Sequence, residues 1–269
     1  MIRVNGVVTD NLPVTDRGLL YGDGVWETIG VRQGRPQLLE WHLERLQTGL
    51  AALGIQSLEW DTLREEIRAA CVGEERAILK LIVTRGAGQR GYSPHTLLPP
   101  TRILQLAPWP EYPTAYTATG IRLTLCETRL AQQPRLAGFK HLNRLEQVLA
   151  RAEFGSEYQE GLVRDYHGNV IEGTMSNLFI IRADGTVVTP ELSQCGIAGI
   201  MRRYIAQTLE KFSIECHIQP LALVDVEQAQ AIFMTNSLIG VWPVCEFSGK
   251  LYNIPPLIRD LQAEILVLP

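Results

Sequence analysis

The sequence lacks long apolar runs and paired cysteines, and each shortage excludes a class of protein. No apolar run approaches the roughly 20 residues needed to span a bilayer. Residues 1–6 lack the basic segment and following apolar stretch of a secretory signal. The five cysteines are odd in number, scattered, and never in a Cys-x-x-Cys pair, which is typical of reduced thiols. We therefore expect a cytoplasmic protein with no disulfides and no membrane partner.

The sequence also lacks the patterns of metal sites and of nucleic-acid-binding proteins. Its five histidines include no His-x-x-x-His pair, so no metal is predicted. The formal net charge is −4, and charges of both signs are mixed along the chain. Such a chain offers no broad positive surface for nucleic acid or for an anionic membrane. These shortages favour a small-molecule substrate.

Lysine is scarce as well, with four residues against 21 arginines. A Schiff base requires an amine that can lose its proton near neutral pH, which arginine cannot provide. Lys80 lies in a run with strand periodicity, Lys211 near the end of a helical run, and Lys250 in a turn where a solvated ammonium is ordinary. Lys140 directly precedes a predicted helix and is the candidate catalytic lysine. The alternative for any lysine is an exposed position in water.

The chain length and one proline-rich stretch predict two domains. A chain of 269 residues fits one large domain or two modest ones. Prolines cluster between two β-like runs from Pro99 to Pro113, and proline interrupts regular structure. We predict an N-terminal domain over 1–107, a linker over 108–119, and a C-terminal domain over 120–269.

Two segments of the first half have clear periodicity. Leucines recur at helical spacing over residues 39–53 and end at Gly54, which predicts an amphipathic helix with a glycine stop. Arg45 lies off that leucine stripe and can project toward a ligand, the alternative being a solvated arginine. Residues 79–84 alternate as a strand does, with Lys80 facing away from the Leu and Val side.

The second half contains a further helix and a β-rich stretch. The helix after Lys140 has apolar residues at 142, 145, 149 and 152 on one stripe and stops before Gly155. The stretch 161–190 has two turn signals between β-rich runs, which predicts a small antiparallel meander. Glu172 and Asn177 lie in its middle.

Residues 86–91 follow a strand and spell Gly-x-Gly-x-x-Gly, the pattern of a dinucleotide site. The context excludes that function, because Ser93 and Pro94 follow where the pattern requires a helix. Arg85 and Arg90 in this loop could bind substrate carboxylates, since a guanidinium matches their geometry. Solvent-facing arginines are the alternative.

The run 195–199 directly precedes a predicted helix, so amides of its first turn can point at an anion. A phosphate would suit that place, although a plain glycine-led helix start is the alternative. Arg45 and the turn at Asn236 and Ser237 would add further donors. Together these groups predict a phosphate site.

Several motifs, in order along the chain, resemble those of the class IV aminotransferase-like enzymes. The matching segments are 16–28, 42–46, 138–147, 172–177, 196–202 and 234–237. This family binds pyridoxal 5′-phosphate in fold type IV. The resemblance implies a mixed α+β or α/β chain, with an α/β N-terminal domain, a C-terminal domain around a β-barrel-like core, and the cofactor in the cleft between them. It also implies a homodimer with active sites near the interface.

The resemblance also implies which residues bind the cofactor. Lys140 would form the Schiff base, and Glu172 would face the pyridine nitrogen, where a carboxylate keeps the ring protonated. Arg45 would bind the phosphate. The remaining cofactor-binding residues implied by the motifs are Asn177, Ile197, Ala198, Asn236 and Ser237.

Within the family, the lysine segment and residues 84–93 are most similar to the branch that cleaves aminodeoxychorismate to 4-aminobenzoate and pyruvate in folate synthesis. Thr28 stands where branched-chain aminotransferases carry glycine, and residues 141–145 lack a tyrosine that those enzymes carry. Thr28 is therefore a candidate proton-transfer helper, although threonine also simply favours strands. Arg90 and Tyr92 are the candidate substrate-binding residues. The alternatives are a branched-chain or D-amino acid aminotransferase and, more remotely, a cofactor-binding protein without turnover.

Overall fold

The computed structural model describes residues 1–56, 58–94 and 98–268, and these form two compact units. Unit 1 contains Met1–Pro110 and the short segment Phe139–Asn143. Unit 2 contains Glu111–Gly138 and Arg144–Leu268. No helix in the described ranges is long and apolar enough to cross a membrane.

Unit 1 is a six-stranded antiparallel sheet with three helices, and its strands lie in the order β2-β1-β6-β5-β3-β4. The strands are β1 (Ile2–Val4), β2 (Val7–Val8), β3 (Gly24–Arg32), β4 (Arg35–Pro36), β5 (Arg76–Thr84) and β6 (Thr101–Pro108). The helices are α1 (Arg17–Tyr21), α2 (Leu39–Leu53) and α3 (Trp60–Cys71).

Two predictions for unit 1 are confirmed. Helix α2 ends at Gly54, whose φ of 66° is the left-handed conformation that favours glycine, and its stripe residues Leu43, Leu46 and Leu50 are buried. In β5, buried residues alternate with half-buried ones, and Lys80 is among the half-buried residues. The sheet therefore has one buried face and one face that carries polar side chains.

Unit 2 is built on a nine-stranded sheet whose main path runs β12-β11-β10-β13-β14-β7-β8-β9, with β15 paired to β14. The strands are β7 (Ile121–Leu130), β8 (Glu160–Asp165), β9 (Val170–Gly173), β10 (Asn177–Ile181), β11 (Val187–Pro190), β12 (Cys216–Gln219), β13 (Ala231–Asn236), β14 (Gly240–Phe247) and β15 (Lys250–Leu251). The helices are α4 (Thr114–Ala118), α5 (Leu145–Ala152), α6 (Ile200–Lys211), α7 (Leu223–Gln228) and α8 (Pro256–Leu266).

The predicted meander over 161–190 differs from the structure. Strands β8 and β9 pair, and β10 and β11 pair, both in antiparallel fashion. However, β13, β14 and β7 lie between the two pairs in the sheet order. The turn signals identified the two hairpins correctly, but strands from distant parts of the chain separate them, which local sequence cannot reveal.

The chain near the predicted linker also differs in detail. Residues 108–119 contain the short helix α4. Of the clustered prolines only Pro108, Pro110 and Pro113 fall in this segment, so the residues after Pro113 can take helical geometry. The compact units divide at residue 110, and 139–143 joins unit 1. The boundaries 1–107 and 120–269 stay predictions, as does a barrel-like closure of the C-terminal domain.

Helix α5 begins at Leu145, so Leu142 lies outside it, and the large apolar residues of the helix are exposed. Leu145, Val148 and Leu149 are 76%, 61% and 60% exposed, whereas Ala150 is fully buried. The predicted stripe exists in the sequence, but in this chain it faces solvent.

Candidate active site

Lys140 is positioned by backbone contacts to β3. Its carbonyl accepts from the Trp26 amide at 2.9 Å, and the next residue, His141, forms a bridge with Val25. The Lys140 Nζ lies 3.9 Å from the centroid of the Trp26 ring. An aromatic face attracts an ammonium and excludes water from one side of it. The amine is thus partly withdrawn from solvent.

A second lysine reaches the same tryptophan. Lys80 on β5 pairs with Thr28 on β3 in the antiparallel register, and its Nζ lies 4.8 Å from the Trp26 centroid. The sequence predicted that Lys80 faces away from the Leu and Val side, but not that its ammonium shares an aromatic neighbour with Lys140. Lys80, Thr28 and Trp26 therefore lie together on the polar face of the unit 1 sheet.

Arg45 projects from α2 onto Glu27, a residue that the sequence analysis did not single out. Its Nε donates to Glu27 Oε1 at 2.8 Å and its Nη2 to Glu27 Oε2 at 2.5 Å. His42, one turn earlier on α2, places its Nδ1 2.6 Å from Glu27 Oε2. Glu27 and His42 are each 1% exposed. This two-point contact fixes the plane of the Arg45 guanidinium.

The charges in this cluster are set by burial and pairing. Burial would raise the pKa of Glu27, but Arg45 and His42 outweigh it and lower that pKa to about 2. Burial lowers the pKa of His42, so we assign a neutral imidazole that donates from Nδ1 to the Glu27 carboxylate. The cluster is therefore one carboxylate against one guanidinium. Glu27 lies within a strand, and no local sequence pattern there predicts its pairing with Arg45 and His42.

In unit 2, Glu172 and Asn177 hold a single loop residue between them. Glu172 is 3% exposed, and its Oε2 accepts from the Ile197 amide at 2.9 Å. Asn177 Nδ2 donates to the Ile197 carbonyl at 2.8 Å. A Cβ on Gly199 would overlap the Asn177 Oδ1, so glycine lets the loop approach this side chain. Asn177 thus contacts the 196–199 loop directly.

The amides of Ile197 and Ala198, just before helix α6, donate to groups of the protein. The Ile197 amide donates to Glu172, and the Ala198 amide donates to the Gly138 carbonyl at 2.9 Å. Helix α6 begins at Ile200, and Arg203 is the first residue whose amide reaches back to Gly199. The amides without an intrahelical acceptor at this end are therefore those of residues 199–202. The helix start was predicted correctly, and the binding of an anion by its first-turn amides stays a prediction.

Asn236 supports its own turn. Its Oδ1 accepts from the amides of Leu238 and Ile239 at 2.8 and 2.9 Å, and its Nδ2 donates to the Met175 carbonyl at 3.0 Å. Both ends of its side chain are thus engaged within unit 2. Ser237 follows it in the turn between β13 and β14 and is half-buried.

The loop after β5 is anchored by Arg17, another residue that the sequence analysis did not single out. Arg17 is 4% exposed, and it donates from Nη1 to the Gly91 carbonyl at 2.7 Å and from Nη2 to the Tyr92 carbonyl at 3.1 Å. Its Nε donates to Asp23 at 2.8 Å. Arg90 and Tyr92 themselves are exposed.

Arg85 does not have the role considered for it. Its Nε and Nη2 donate to the two oxygens of Asp23, and its Nη1 and Nη2 also donate to the carbonyls of Gly54 and Leu53. Because it is 7% exposed and paired with Asp23, Arg85 stabilises unit 1 and is not presented to a substrate carboxylate. Sequence could not separate it from Arg90, since both lie in the same glycine-rich stretch.

Among the described residues, no group of three or more His, Cys, Asp or Glu side chains could hold a metal ion. The residues brought together in unit 1 are Lys140, Lys80 and Thr28 around Trp26, with Arg45 on Glu27. Those brought together in unit 2 are Glu172, Asn177 and the loop that leads into α6.

Comparison with known proteins defines the class. The model of the amino-transferase class IV family matches residues 24–247. The chain belongs to this family, and its two-unit, mixed α/β structure is the fold type IV architecture.

The relatives narrow the similarity further. An aminodeoxychorismate lyase of Vibrio harveyi is 38% identical over 98% of this chain and 99% of its own length. The crystal structure of 4-amino-4-deoxychorismate lyase from Pseudomonas aeruginosa is 44% identical and superposes with a TM-score of 0.95, covering 98% of each chain. A putative branched-chain-amino-acid aminotransferase of Methanocaldococcus jannaschii is 32% identical over 94% of this chain and 89% of its own length.

Proposed function

We propose that this chain is a pyridoxal 5′-phosphate-dependent lyase that converts 4-amino-4-deoxychorismate to 4-aminobenzoate and pyruvate, in folate biosynthesis. The observation that carries the proposal is its similarity to lyases of this specificity, at 38% and 44% identity over nearly the whole chain. The aminotransferase relative is less similar, at 32%. Thr28 in place of the aminotransferase glycine supports the same choice.

We propose that the following side chains and amides hold pyridoxal 5′-phosphate. Lys140 offers an amine for the aldehyde carbon, and Glu172 offers a buried carboxylate for the pyridine nitrogen. For the phosphate we propose Arg45, Ser237 and the amides of Ile200 and Met201, because anions bind well at helix N-termini. Asn177, Ile197, Ala198 and Asn236 would then shape the site by holding its turns.

When bound, the cofactor supplies an electron sink that stabilises negative charge on the substrate carbon attached to the amine. Lys140 Nζ takes the proton from that ring carbon and delivers a proton to the methylene carbon of the departing enolpyruvyl group. The bond between the ring carbon and the ether oxygen breaks, the ring becomes aromatic, and pyruvate forms. Thr28, opposite Lys80 on the same sheet face, is the proposed proton-transfer helper.

The substrate carries carboxylates, and we propose that Arg90 and Tyr92 contact them. Both side chains are exposed, and Arg17 fixes the backbone of this segment. A guanidinium binds a carboxylate with two parallel hydrogen bonds.

We also propose that the protein is a homodimer. The apolar face of α5, formed by Leu145, Val148 and Leu149, is more than half exposed in the single chain, and a second copy would cover it. Light scattering of the wild type and of a Val148→Asp variant tests this. A monomeric wild type would contradict the proposal.

The proposed function is tested against the aminotransferase alternative by a half-reaction. A transaminase must leave its cofactor in the amine form when supplied with an amino acid and no keto acid. We expect leucine or D-alanine to leave most of the cofactor absorbance unchanged. Rapid stoichiometric conversion to pyridoxamine phosphate would favour the aminotransferase.

A further inference from the structure

A buried carboxylate that plays no part in the chemistry lies beneath the turn between β9 and β10. Glu160, the first residue of β8, is 1% exposed. Its Oε1 accepts from the Thr174 amide at 3.0 Å and from the Thr174 hydroxyl at 2.5 Å. Its Oε2 accepts from the Met175 amide at 3.2 Å and from the Ser176 hydroxyl at 2.6 Å. The Gly161 amide adds a fifth donor at 3.0 Å.

These donors are all uncharged, and four of them belong to three consecutive residues of the 173–176 turn. A carboxylate is an acceptor-only group that satisfies several donors at once, and hydrogen bonds to a charged acceptor are the stronger kind. Gly173 allows the approach, because a Cβ there would lie 2.8 Å from Glu160 Cδ and 2.7 Å from Ser176 Oγ. The turn is thus built around the carboxylate.

This turn connects the elements of unit 2 that carry proposed cofactor contacts. Glu172 precedes it and Asn177 follows it, and both hold Ile197 in the loop before α6. The Met175 carbonyl accepts from Asn236, which orders the turn containing Ser237. A shift of the 173–176 turn would therefore move Glu172, the carboxylate proposed to face the pyridine nitrogen. It would also disturb Ser237 and the start of α6, which are proposed to bind the phosphate.

We propose that Glu160 is a positioning residue of the cofactor site, whose carboxylate fixes the 173–176 turn so that Glu172 and the α6 loop keep their binding geometry. The proposal rests on the proposed function, because it assumes that these residues bind pyridoxal 5′-phosphate. Supporting groups behind a ligand contact commonly set its orientation, as they do around metal ligands.

The strand supplies its own control. Asp165, at the other end of β8, is 2% exposed, and its carboxylate also accepts from neutral donors: the amides of His167 and Asn169 and the side chains of Asn169 and Gln132. It holds the 166–169 turn, which carries no proposed cofactor contact. Asp165→Asn and Glu160→Gln thus make the same chemical change at the two ends of one strand.

The test measures cofactor affinity by equilibrium dialysis, the pH titration of the bound-cofactor absorbance, and the melting temperature of each variant without cofactor. We expect Glu160→Gln to weaken binding of pyridoxal 5′-phosphate about 10-fold or more, as for loss of a hydrogen bond to a charged group. We also expect it to shift the absorbance titration, because Glu172 no longer faces the ring nitrogen in the same way. Asp165→Asn should leave both cofactor measurements near wild type.

Ser176→Ala removes one donor from the turn and keeps the carboxylate, so it serves if Glu160→Gln does not fold. It should weaken cofactor binding in the same direction. Equal effects of the Glu160 or Ser176 variant and Asp165→Asn at equal melting temperatures would show a merely structural role. Unchanged affinity and titration in the first two would also overturn the proposal. Failure of the wild type itself to bind the cofactor would overturn the proposed function and this proposal with it.

Discussion

Two segments that carry proposed site residues are anchored in opposite ways. In unit 1, Arg17 donates to the carbonyls of Gly91 and Tyr92 and is itself paired with Asp23. In unit 2, Glu160 accepts from the amides and hydroxyls of the 173–176 turn. The first anchor is a cation that receives its counter-charge from the half-buried Asp23 carboxylate. The second is an anion that hydrogen-bonds only to neutral donors within its own neighbourhood.

The exposure of the two segments differs in the same sense. Tyr92 is 85% exposed, whereas Glu172 and Asn177 on either side of the unit 2 turn are 3% and 5% exposed. A segment with a fixed backbone and exposed side chains suits a substrate that must enter and leave. A buried turn suits a cofactor that remains bound. We therefore expect substitution of Arg17 to change substrate affinity and substitution of Glu160 to change cofactor affinity.

Both segments are proposed to act with Lys140, so removing this lysine should have the largest effect. Lys140→Ala should abolish the visible absorbance of lysine-bound cofactor and reduce turnover by at least the roughly 10²–10⁴-fold that general acid–base catalysis contributes. Absorbance spectra and 4-aminobenzoate formation measure this. Lys80→Ala is the matched control, since its ammonium lies over the same Trp26 ring. Absorbance lost with Lys80 and kept without Lys140 would show that the wrong lysine has been assigned.

Charge pairing in unit 1 should appear in the acid stability of the protein. The folded-state pKa of Glu27 is lowered from 4.5 to about 2, so its ionised form stabilises the fold above pH 4.5. That contribution is lost as the pH falls from there toward 2, and a shift of this size corresponds to about 3 kcal/mol. In Glu27→Gln the free energy of unfolding should depend less on pH across this window, as measured by urea unfolding. An unchanged pH dependence would contradict the pairing.

Arg45 should affect the phosphate end of the cofactor alone. Arg45→Ala should reduce retention of pyridoxal 5′-phosphate about 10-fold or more, and Arg45→Lys less, because lysine keeps the charge but loses the fork. Dialysis followed by a cofactor assay measures retention. Pyridoxal, which has no phosphate, is the control ligand, because a general destabilisation around Glu27 would weaken both. Equal losses of retention for the two ligands would show that Arg45 does not bind the phosphate.

The smallest expected effect tests the unit 1 anchor itself. Arg17→Lys should raise the KM for aminodeoxychorismate about 10-fold, because one ammonium cannot hold two loop carbonyls and Asp23 at once. Cofactor retention should stay near wild type. Arg102→Lys is the control, since Arg102 is paired with Glu66 in the same unit and holds no site segment. A loss of cofactor from Arg17→Lys with no change in KM would show that Arg17 supports cofactor binding and not substrate binding.

The structural elements that sequence could predict are those that local residue patterns or fixed motifs encode. The leucine spacing and Gly54 predicted α2, the alternation around Lys80 predicted β5, and the glycine-led run before residue 200 predicted the start of α6. The family motifs predicted the fold, which the comparison confirms, and they are the basis for proposing Lys140 as the Schiff-base lysine. Each of these depends on neighbours within a few residues or on a motif of fixed spacing.

The parts that sequence could not predict depend on contacts between distant residues. Whether Arg85 or Arg90 is exposed is decided by Asp23, more than 60 residues earlier in the chain. Glu160 is 14 to 16 residues from the turn that it orders. The exposed stripe on α5 carried the same pattern as a core helix, because periodicity shows that a face is apolar and not what covers it. The roles of the site residues remain predictions.

The most direct test of the central claim is the product balance from aminodeoxychorismate in the absence of any keto acid. We expect 4-aminobenzoate and pyruvate in equal amounts over many turnovers, with the cofactor unchanged at the end. Conversion of the cofactor to pyridoxamine phosphate after a single turnover, with no 4-aminobenzoate formed, would contradict it.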